Sequence, residues 1–359
     1  MLYYLLYQYF GINVVRYITF RTAAASLTAL ALSLFLGPWM IRRLREFQVG
    51  QVVRQDVPAA HQAKSGTPTM GGLLILMAVL VPTLLWADLT NPYVWIAVLA
   101  TASFGAIGFL DDYLKVTRRS HYGLFGRYKI LAQIVVGLSV GLALMWMASK
   151  NPSQYDTRLL VPFFKQWVPA LGWWYVPFAM FVLVSASNTV NLTDGLDGLA
   201  ASTFSVSAAT FTALAYVTGH SAIAKYLLIE PSALAGELTI FCGTLVGASL
   251  GFLWWNAHPA EVFMGDVGSL ALGGALGTVA VLIKQELLLP IVGGVFVMEG
   301  ASVILQVASF QLRGKRIFRM SPLHHHFELV GWAEPKIIFR FLILAIIFAL
   351  FSLTTLKLR

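Results

Sequence analysis

The chain has 359 residues, of which 58% are hydrophobic and 11% charged, and its formal net charge is +9. Because so little polar surface cannot cover a soluble globule of this size, the composition excludes a soluble protein and predicts a polytopic membrane protein. The single cysteine, Cys242, excludes an intramolecular disulfide. The amino-terminal residues lack a charged segment before an apolar core, so we expect no removable signal peptide.

Apolar runs long enough to cross a membrane follow one another along the whole chain. A helix needs about 20 apolar residues to cross a hydrocarbon layer of roughly 30 Å. We therefore predict an all-α integral membrane protein, with one domain covering residues 1–359. Its ten predicted spans lie near residues 20–40, 71–87, 94–110, 130–148, 172–190, 199–218, 237–255, 269–283, 287–308 and 337–356. The glycines of the ninth span predict a kinked or bent helix.

The basic residues indicate how these spans are oriented. On the ten-span arrangement, 16 of the 25 lysines and arginines fall in loops on one side. By the positive-inside rule this side is cytoplasmic, and both termini are then periplasmic. The positive charge therefore serves membrane orientation, with anionic lipid or phosphate binding as a second use, and nucleic acid is not an expected partner. The cytoplasmic loops with candidate catalytic residues lie near 41–70, 111–129, 191–198, 256–268 and 311–336.

Acidic residues and histidines from four separate loops share this cytoplasmic side. They are Asp111, Asp112, Asp194, Asp197, Asp266, His324, His325 and His326. Charged groups at bilayer depth cost roughly 2.5 to 3.5 kcal/mol on insertion scales, so they persist where a cation, a partner or water is present. We expect these residues to converge on one site.

Other interpretations of the same residues remain open. Asp111 and Asp112 also fit an ordinary helix end, and Asp266 fits a turn between glycines. We interpret Asp194 and Asp197 as functional, since the spacing i and i+3 on a helix would place both on one face. The histidine triplet fits a surface loop, a zinc site or a contact to phosphate or substrate. We favour contact to phosphate or substrate, because adjacent histidines do not point at one ion and no cysteine ligand is available.

Clustered carboxylates need a nearby cation to stay ionised. Oxygen ligands alone favour a hard ion, and Mg²⁺ held by a few carboxylates and substrate phosphate is the usual arrangement. Three lysines of the same side, Lys64, Lys115 and Lys129, would neutralise the remaining phosphate charge. A hard cation, basic side chains and glycine-rich loops are the components of phosphoryl transfer.

Three further charged residues lie within or between the last predicted spans. Glu299 lies deep in the ninth span, either hydrogen-bonded inside the bundle or beside a water-filled cavity, and we favour the structural role. Lys284 and Glu286 flank a short outward turn. We expect this pair at the membrane interface, with the charged ends reaching water.

Five motifs in register resemble the bacterial phospho-N-acetylmuramoyl-pentapeptide transferase (MraY) family, of the polyprenyl-phosphate N-acetylhexosamine-1-phosphate transferase superfamily. The resemblance covers essentially the whole chain. The motifs are Thr67-Pro-Thr-Met-Gly-Gly72, Gly108-Phe-Leu-Asp111-Asp112-Tyr-Leu-Lys115, Asn188-Thr-Val-Asn191-Leu-Thr-Asp194-Gly-Leu-Asp197-Gly198, Asn256 with Phe263-Met-Gly-Asp266-Val-Gly-Ser269, and Pro322-Leu-His324-His325-His326-Phe-Glu328.

The resemblance implies a ten-helix enzyme of the bacterial inner membrane, usually a homodimer, that requires Mg²⁺. It would transfer phospho-MurNAc-pentapeptide from UDP-MurNAc-pentapeptide to undecaprenyl phosphate, giving lipid I and UMP. By the same resemblance Asp266 is the magnesium ligand, and Asp111 deprotonates the lipid phosphate or acts as nucleophile. Asp112 is a further catalytic position. The implied substrate-binding residues are Lys64, Thr69, Lys115, Lys129, Asn191, Asp194, Gly195, Asp197, Asn256, Phe263, His324, His325 and His326.

Two other functions fit parts of the sequence. A sibling enzyme that moves GlcNAc 1-phosphate onto the same lipid carrier would share the aspartates, but the uninterrupted histidine triplet favours the muramoyl enzyme. An ion-coupled transporter would place acidic residues near the midplane of several spans, whereas here they cluster at one edge.

Overall fold

A computed structural model describes residues 2–47, 66–118, 123–152, 155–164, 167–227 and 229–356, and they fold almost entirely as helices. Ten helices correspond to the ten predicted spans and confirm an all-α membrane protein. They are α1 (Ile18–Glu46), α2 (Gly72–Trp86), α3 (Pro92–Thr117), α4 (Gly126–Lys150), α5 (Tyr175–Thr193), α6 (Leu199–Gly219), α7 (Ala235–Asn256), α8 (Gly265–Leu282), α9 (Gly294–Arg313) and α10 (Glu334–Thr354). Within the described residues, all of these except the 15-residue α2 are long and apolar enough to span a membrane.

Helix α8 lies at the centre of the bundle. It packs against α3, α5 and α2, and every residue from Val267 to Leu282 is buried. Its sequence is rich in glycine, alanine and small aliphatic side chains, which allow neighbouring backbones to approach closely. A helix surrounded by protein in this way holds its first turn at a fixed place in the bundle.

Two glycines bring the first turn of α8 directly against its neighbours. A Cβ atom on Gly108 of α3 would lie 2.1 Å from the carbonyl oxygen of Asp266, and one on Gly72 of α2 would lie 2.0 Å from the backbone nitrogen of Gly268. No side chain fits at either contact. Asp266 is therefore held against the end of α3 that contains Asp111 and Asp112.

The predicted ninth span is interrupted. A short helix, Leu289–Val292, meets α9 at Gly293, and α9 then continues to Arg313. Gly314 has a positive φ of 64° and ends α9. The chain leads from there to a short helix, Leu323–Val330, which we call the histidine helix because it contains the triplet.

The opposite end of the bundle corrects one expectation. Glu286 is 2% exposed and accepts a hydrogen bond from the Tyr175 hydroxyl, so it does not reach water. Lys284 Nζ lies 3.3 Å from Glu286 Oε1 and 4.1 Å from the centre of the Tyr175 ring. The expectation that the charged ends reach water is wrong for Glu286, because aromatic rings enclose its carboxylate and the Lys284 ammonium compensates its charge.

Candidate active site

Three aspartates from two helices meet where the end of α3 touches the start of α8. Asp111 and Asp112 lie near the end of α3 and are each 3% exposed, and Asp266 is the second residue of α8. One carboxylate oxygen from each lies within 4.8 Å of the others. Adjacent residues 111 and 112 point differently on a helix, so the approach depends on how closely α3 and α8 pack.

Two lysines contact this cluster. Lys115 Nζ lies 2.6 Å from Asp111 Oδ2, 3.4 Å from Asp112 Oδ1 and 2.9 Å from Asp266 Oδ2. Lys129 of α4 lies 2.6 Å from Asp266 Oδ2 and 3.8 Å from Asp111 Oδ2. The short distances follow from attraction between opposite charges in a partly desolvated site.

Neutral donors fix each carboxylate. Asn191, at the end of α5, donates through Nδ2 to Asp266 Oδ1 at 2.7 Å. The backbone N–H of Val267 donates to Asp112 Oδ2 at 3.1 Å, and that of Leu124 donates to Asp111 Oδ1 at 2.7 Å. Because each carboxylate has its own partner, the three oxygens are held in place before any ligand arrives.

Asp194 lies beside this cluster, after the last residue of α5. Its removal from water and the negative charges of Asp266 and Asp112 together raise its pKa to about 8, against the opposing effect of the Gly265 N–H. A cation placed among these carboxylates would oppose this shift. Asp194 is therefore coupled electrostatically to the cluster.

Asp197 belongs to a different group. The helix α5 ends at Thr193, so residues 194–198 form a turn and the expected helical face shared with Asp194 is wrong. Asp197 Oδ2 accepts from the Ala260 N–H at 3.1 Å and lies 3.1 Å from His258 Nδ1. Glu334 Oε1 accepts from the Asp197 N–H at 2.9 Å. This second group joins the turn to the loop after α7 and to the start of α10.

Other predicted substrate-binding residues lie in the loops around the cluster or connect these loops by hydrogen bonds. Asn256 Oδ1 accepts from the Gly198 N–H at 3.0 Å, and its Nδ2 donates to the Val262 carbonyl at 2.9 Å.

Thr69 is half-buried, and a Cβ atom on Gly265 would lie 3.0 Å from its Oγ1. Phe263 is half-buried and donates its backbone N–H to the Pro68 carbonyl at 2.8 Å. Lys64 lies outside the described residues.

The three histidines have three different environments. His324 is fully buried, and its Nδ1 lies 3.2 Å from Glu299 Oε1. His325 Nδ1 lies 2.7 Å from Glu328 Oε2, and His326 Nδ1 accepts from the Arg319 N–H at 3.1 Å. The three rings have different hydrogen-bond partners, although the rings of His324 and His325 lie with their centres 4.2 Å apart. His324 also approaches the turn at Gly195, where an added Cβ would lie 2.1 Å from its Nε2.

Sequence reasoning did not assign three residues that the structure places in these networks. Glu299 pairs with His324, and His258 and Glu334 pair with Asp197. Glu299 gave a signal, because a carboxylate within an apolar span needs a partner. His258 and Glu334 gave none, because His258 lies in the loop after α7, Glu334 begins α10, and their meeting depends on chain segments far apart in sequence.

The donor set of the first cluster fits a hard divalent cation. Three convergent carboxylates offer the oxygen ligands that Mg²⁺ prefers. A hydrogen bond from Asn191 fixes the orientation of one of them, the Asp266 carboxylate. Three carboxylates this close together are stable without a metal only if positive charge compensates them. Lys115 and Lys129 supply that charge. Asp266, Asp111 and Asp112 are the residues that could hold such an ion.

The chain is similar to known proteins over its full length. A family model described as glycosyl transferase family 4 matches residues 94–284, and a phospho-N-acetylmuramoyl-pentapeptide-transferase signature matches residues 64–76. Proteins named phospho-N-acetylmuramoyl-pentapeptide-transferase from Koribacter versatilis and Acidobacterium capsulatum are 58% and 56% identical to it, and each alignment covers all of both chains. One of the same name from Solidesulfovibrio magneticus is 57% identical, again with full coverage of both chains.

Proposed function

The chain belongs to the phospho-N-acetylmuramoyl-pentapeptide transferase family, and from this premise we propose that the cluster of Asp111, Asp112, Asp266, Lys115 and Lys129 is its catalytic centre. The protein transfers phospho-MurNAc-pentapeptide in peptidoglycan synthesis and is a multi-pass protein of the bacterial inner membrane. The observation that supports this site is the meeting of three carboxylates and two ammonium groups from three helices.

The proposed reaction joins a soluble nucleotide sugar to a membrane lipid. UDP-MurNAc-pentapeptide is the donor and undecaprenyl phosphate the acceptor. An oxygen of the lipid phosphate forms a bond to the phosphorus attached to the sugar, and the bond from that phosphorus to UMP breaks. UMP leaves with the electron pair, and lipid I remains in the membrane. A site at the ends of membrane-spanning helices suits a reaction between one soluble and one lipid substrate.

The cation proposed for this centre is Mg²⁺, with Asp266 as the principal ligand and Asp111 and Asp112 beside it. When bound, the ion neutralises charge on the diphosphate and on the departing UMP. Lys115 and Lys129 contribute positive charge at the same place and contact the substrate phosphates. Their ammonium groups exchange carboxylate partners for phosphate oxygens as the substrate enters.

Asp111 is the proposed catalytic carboxylate. It accepts the proton of the lipid phosphate, or it attacks the donor phosphorus itself as the bond to UMP breaks, giving a covalent phospho-sugar intermediate from which the lipid phosphate then displaces the aspartate. As a base it needs no raised pKa, because the second ionisation of a phosphate monoester has a pKa of about 6. The Leu124 N–H and Lys115 hold its two oxygens in different directions, so its orientation is fixed.

The nucleotide sugar is proposed to lie along the turn at Asp194 and Gly195. Asn256, Asp197 and Phe263 shape the loops that border this turn. Thr69 and the histidine helix complete the surroundings of the site, and Lys64 is a further proposed contact. A homodimer is the proposed assembly. Chemical cross-linking in native membranes tests it, and a product of only one chain's mass would contradict it.

The decisive assay incubates the purified protein with Mg²⁺, undecaprenyl phosphate and UDP-MurNAc-pentapeptide, and measures released UMP. UDP-GlcNAc replaces the donor in a parallel reaction. We expect UMP only with the muramoyl donor. Release with UDP-GlcNAc alone would support the sibling transferase, and no release with either donor would contradict the proposed reaction.

A further inference from the structure

Glu299 and His324 form a buried pair that the proposed reaction does not yet use. Both residues are fully buried. Glu299 Oε1 lies 3.2 Å from His324 Nδ1 and 3.3 Å from the His324 backbone nitrogen. The pair connects the middle of α9 to the first turn of the histidine helix.

The contact with Glu299 favours one tautomer of the His324 ring. With Glu299 as a carboxylate, which can only accept hydrogen bonds, Nδ1 of His324 is the donor. The ring is held at two points, because the same carboxylate oxygen also accepts from the backbone N–H of His324. Its second nitrogen, Nε2, then faces the turn between α5 and α6, where Gly195 lies in close contact.

Two atoms of this pair have no hydrogen-bond partner among the described residues. They are His324 Nε2 and Glu299 Oε2. Leaving a buried polar atom unpaired is unfavourable, so such atoms in a native site require a partner, which a bound water or a group of a ligand can supply. Nε2 is placed for this role, because it borders Gly195 and the neighbouring residue, Asp194, is coupled to the aspartate cluster.

We propose that Glu299 is a positioning residue for the transfer reaction, which holds His324 with Nδ1 protonated so that Nε2 presents a fixed polar contact to the nucleotide sugar beside Gly195. The inference rests on the proposed function, since it assigns the contact to that substrate. Glu299 itself touches no substrate and acts through the orientation and tautomer of one ring. The alternative is a structural role, in which Glu299 caps the first turn of the histidine helix.

A double-mutant cycle separates the two roles. E299M removes the acceptor at similar length, and H324N removes the ring. We expect E299M to raise the KM for UDP-MurNAc-pentapeptide about tenfold or more, as for the loss of a hydrogen bond to a charged group. The effect should largely disappear in the H324N background, because both substitutions remove the same contact between the oriented His324 ring and the substrate. Additive effects of the two substitutions would overturn the proposal.

Two further variants serve as conservative and matched controls. E299Q keeps an oxygen at the same place, so it should retain activity within about threefold of wild type. Ser302 lies one turn further along α9, and the only hydrogen bond of its hydroxyl among the described residues is donated to the Glu299 carbonyl. S302A should therefore not change KM. A KM for S302A as high as that of E299M would mark the effect as a general disturbance of α9 and overturn the proposal.

Nitrogen-15 NMR of histidine-labelled protein tests the same pair without turnover, and H324N identifies the signal. We expect His324 of the wild type to be protonated at Nδ1. A neutral ring protonated only at Nε2 would overturn the inference, even if E299M fails to fold. If the wild type releases no UMP, the proposed function fails, but the ring's protonation still decides whether Glu299 orients His324.

Discussion

Lys129 Nζ of α4 lies 2.6 Å from Asp266 Oδ2 of α8, and this ion pair joins two helices that the sequence separates by 137 positions. Lys115 contacts the same oxygen at 2.9 Å. One carboxylate oxygen thus binds two ammonium groups, which shows how much negative charge the three aspartates concentrate here. Substrate phosphate would compete with the aspartates for the two lysines, and a metal ion would compete with the lysines for the aspartates.

Asp266→Asn should abolish turnover while the protein stays folded. The substitution removes the carboxylate that both lysines contact and that we propose as the principal metal ligand, but it preserves the shape of the side chain. UMP release at saturating Mg²⁺ is the measurement, with thermal unfolding as the test of folding. Asp156→Asn, at the opposite end of the bundle beside Arg158, is the control. Substantial activity of Asp266→Asn would contradict the metal role.

Lys129→Met should lower kcat/KM for the nucleotide sugar about 100-fold, because phosphoryl transfer depends on charge neutralisation at the site. Arg127→Ala is the matched control on the same helix, since Arg127 is exposed and lies over the Tyr128 ring. Steady-state kinetics and melting temperature are measured together. A lower melting temperature with unchanged kinetics would show that Lys129 is only structural.

Removal of divalent cations should stop turnover with little loss of stability. Lys115 and Lys129 already compensate part of the aspartate charge, so the fold does not depend on a metal. With EDTA we expect no UMP release and a melting temperature within a few degrees of that with Mg²⁺, since a bound ion stabilises by mass action alone. Restored turnover on adding Mg²⁺ completes the test. Unfolding in EDTA, or full turnover without divalent ions, would be the opposite result.

Gly108→Ala should reduce both stability and turnover. The added methyl group would meet the Asp266 carbonyl oxygen at 2.1 Å, so the start of α8 must move away from α3. Overpacking of this kind typically costs about 1 to 3 kcal/mol. The separation also moves Asp266 relative to Asp111 and Asp112, which thermal unfolding and UMP release detect together.

The control for this substitution is Gly126→Ala at the start of α4. Nothing lies within 4 Å of a Cβ atom there, so its melting temperature and activity should equal those of the wild type. If Gly108→Ala behaves like Gly126→Ala, the close contact of α3 and α8 does not hold the site together.

The sequence predicted the helices well because their signal is local. Long apolar runs gave all ten helices, and the structure divides only the ninth, at Gly293. It also predicted that Asp111, Asp112 and Asp266 lie near Lys115 and Lys129, since charged groups at one membrane edge need partners. Asp197 instead joins a separate group, and Lys64 lies outside the described residues. The pairing of Asp194 with Asp197 failed because it assumed that α5 continued, whereas α5 ends at Thr193.

What the sequence alone determined is a helical membrane protein with its polar chemistry at one edge, because hydropathy and charge spacing are properties of neighbouring residues. Only the tertiary structure decided which atoms share a site. Glu299 meets His324 across 25 positions, and Asp197 meets His258 and Glu334 from three separate segments. These contacts depend on how closely helices pack at small residues such as Gly108 and Gly195, and no local pattern encodes that distance.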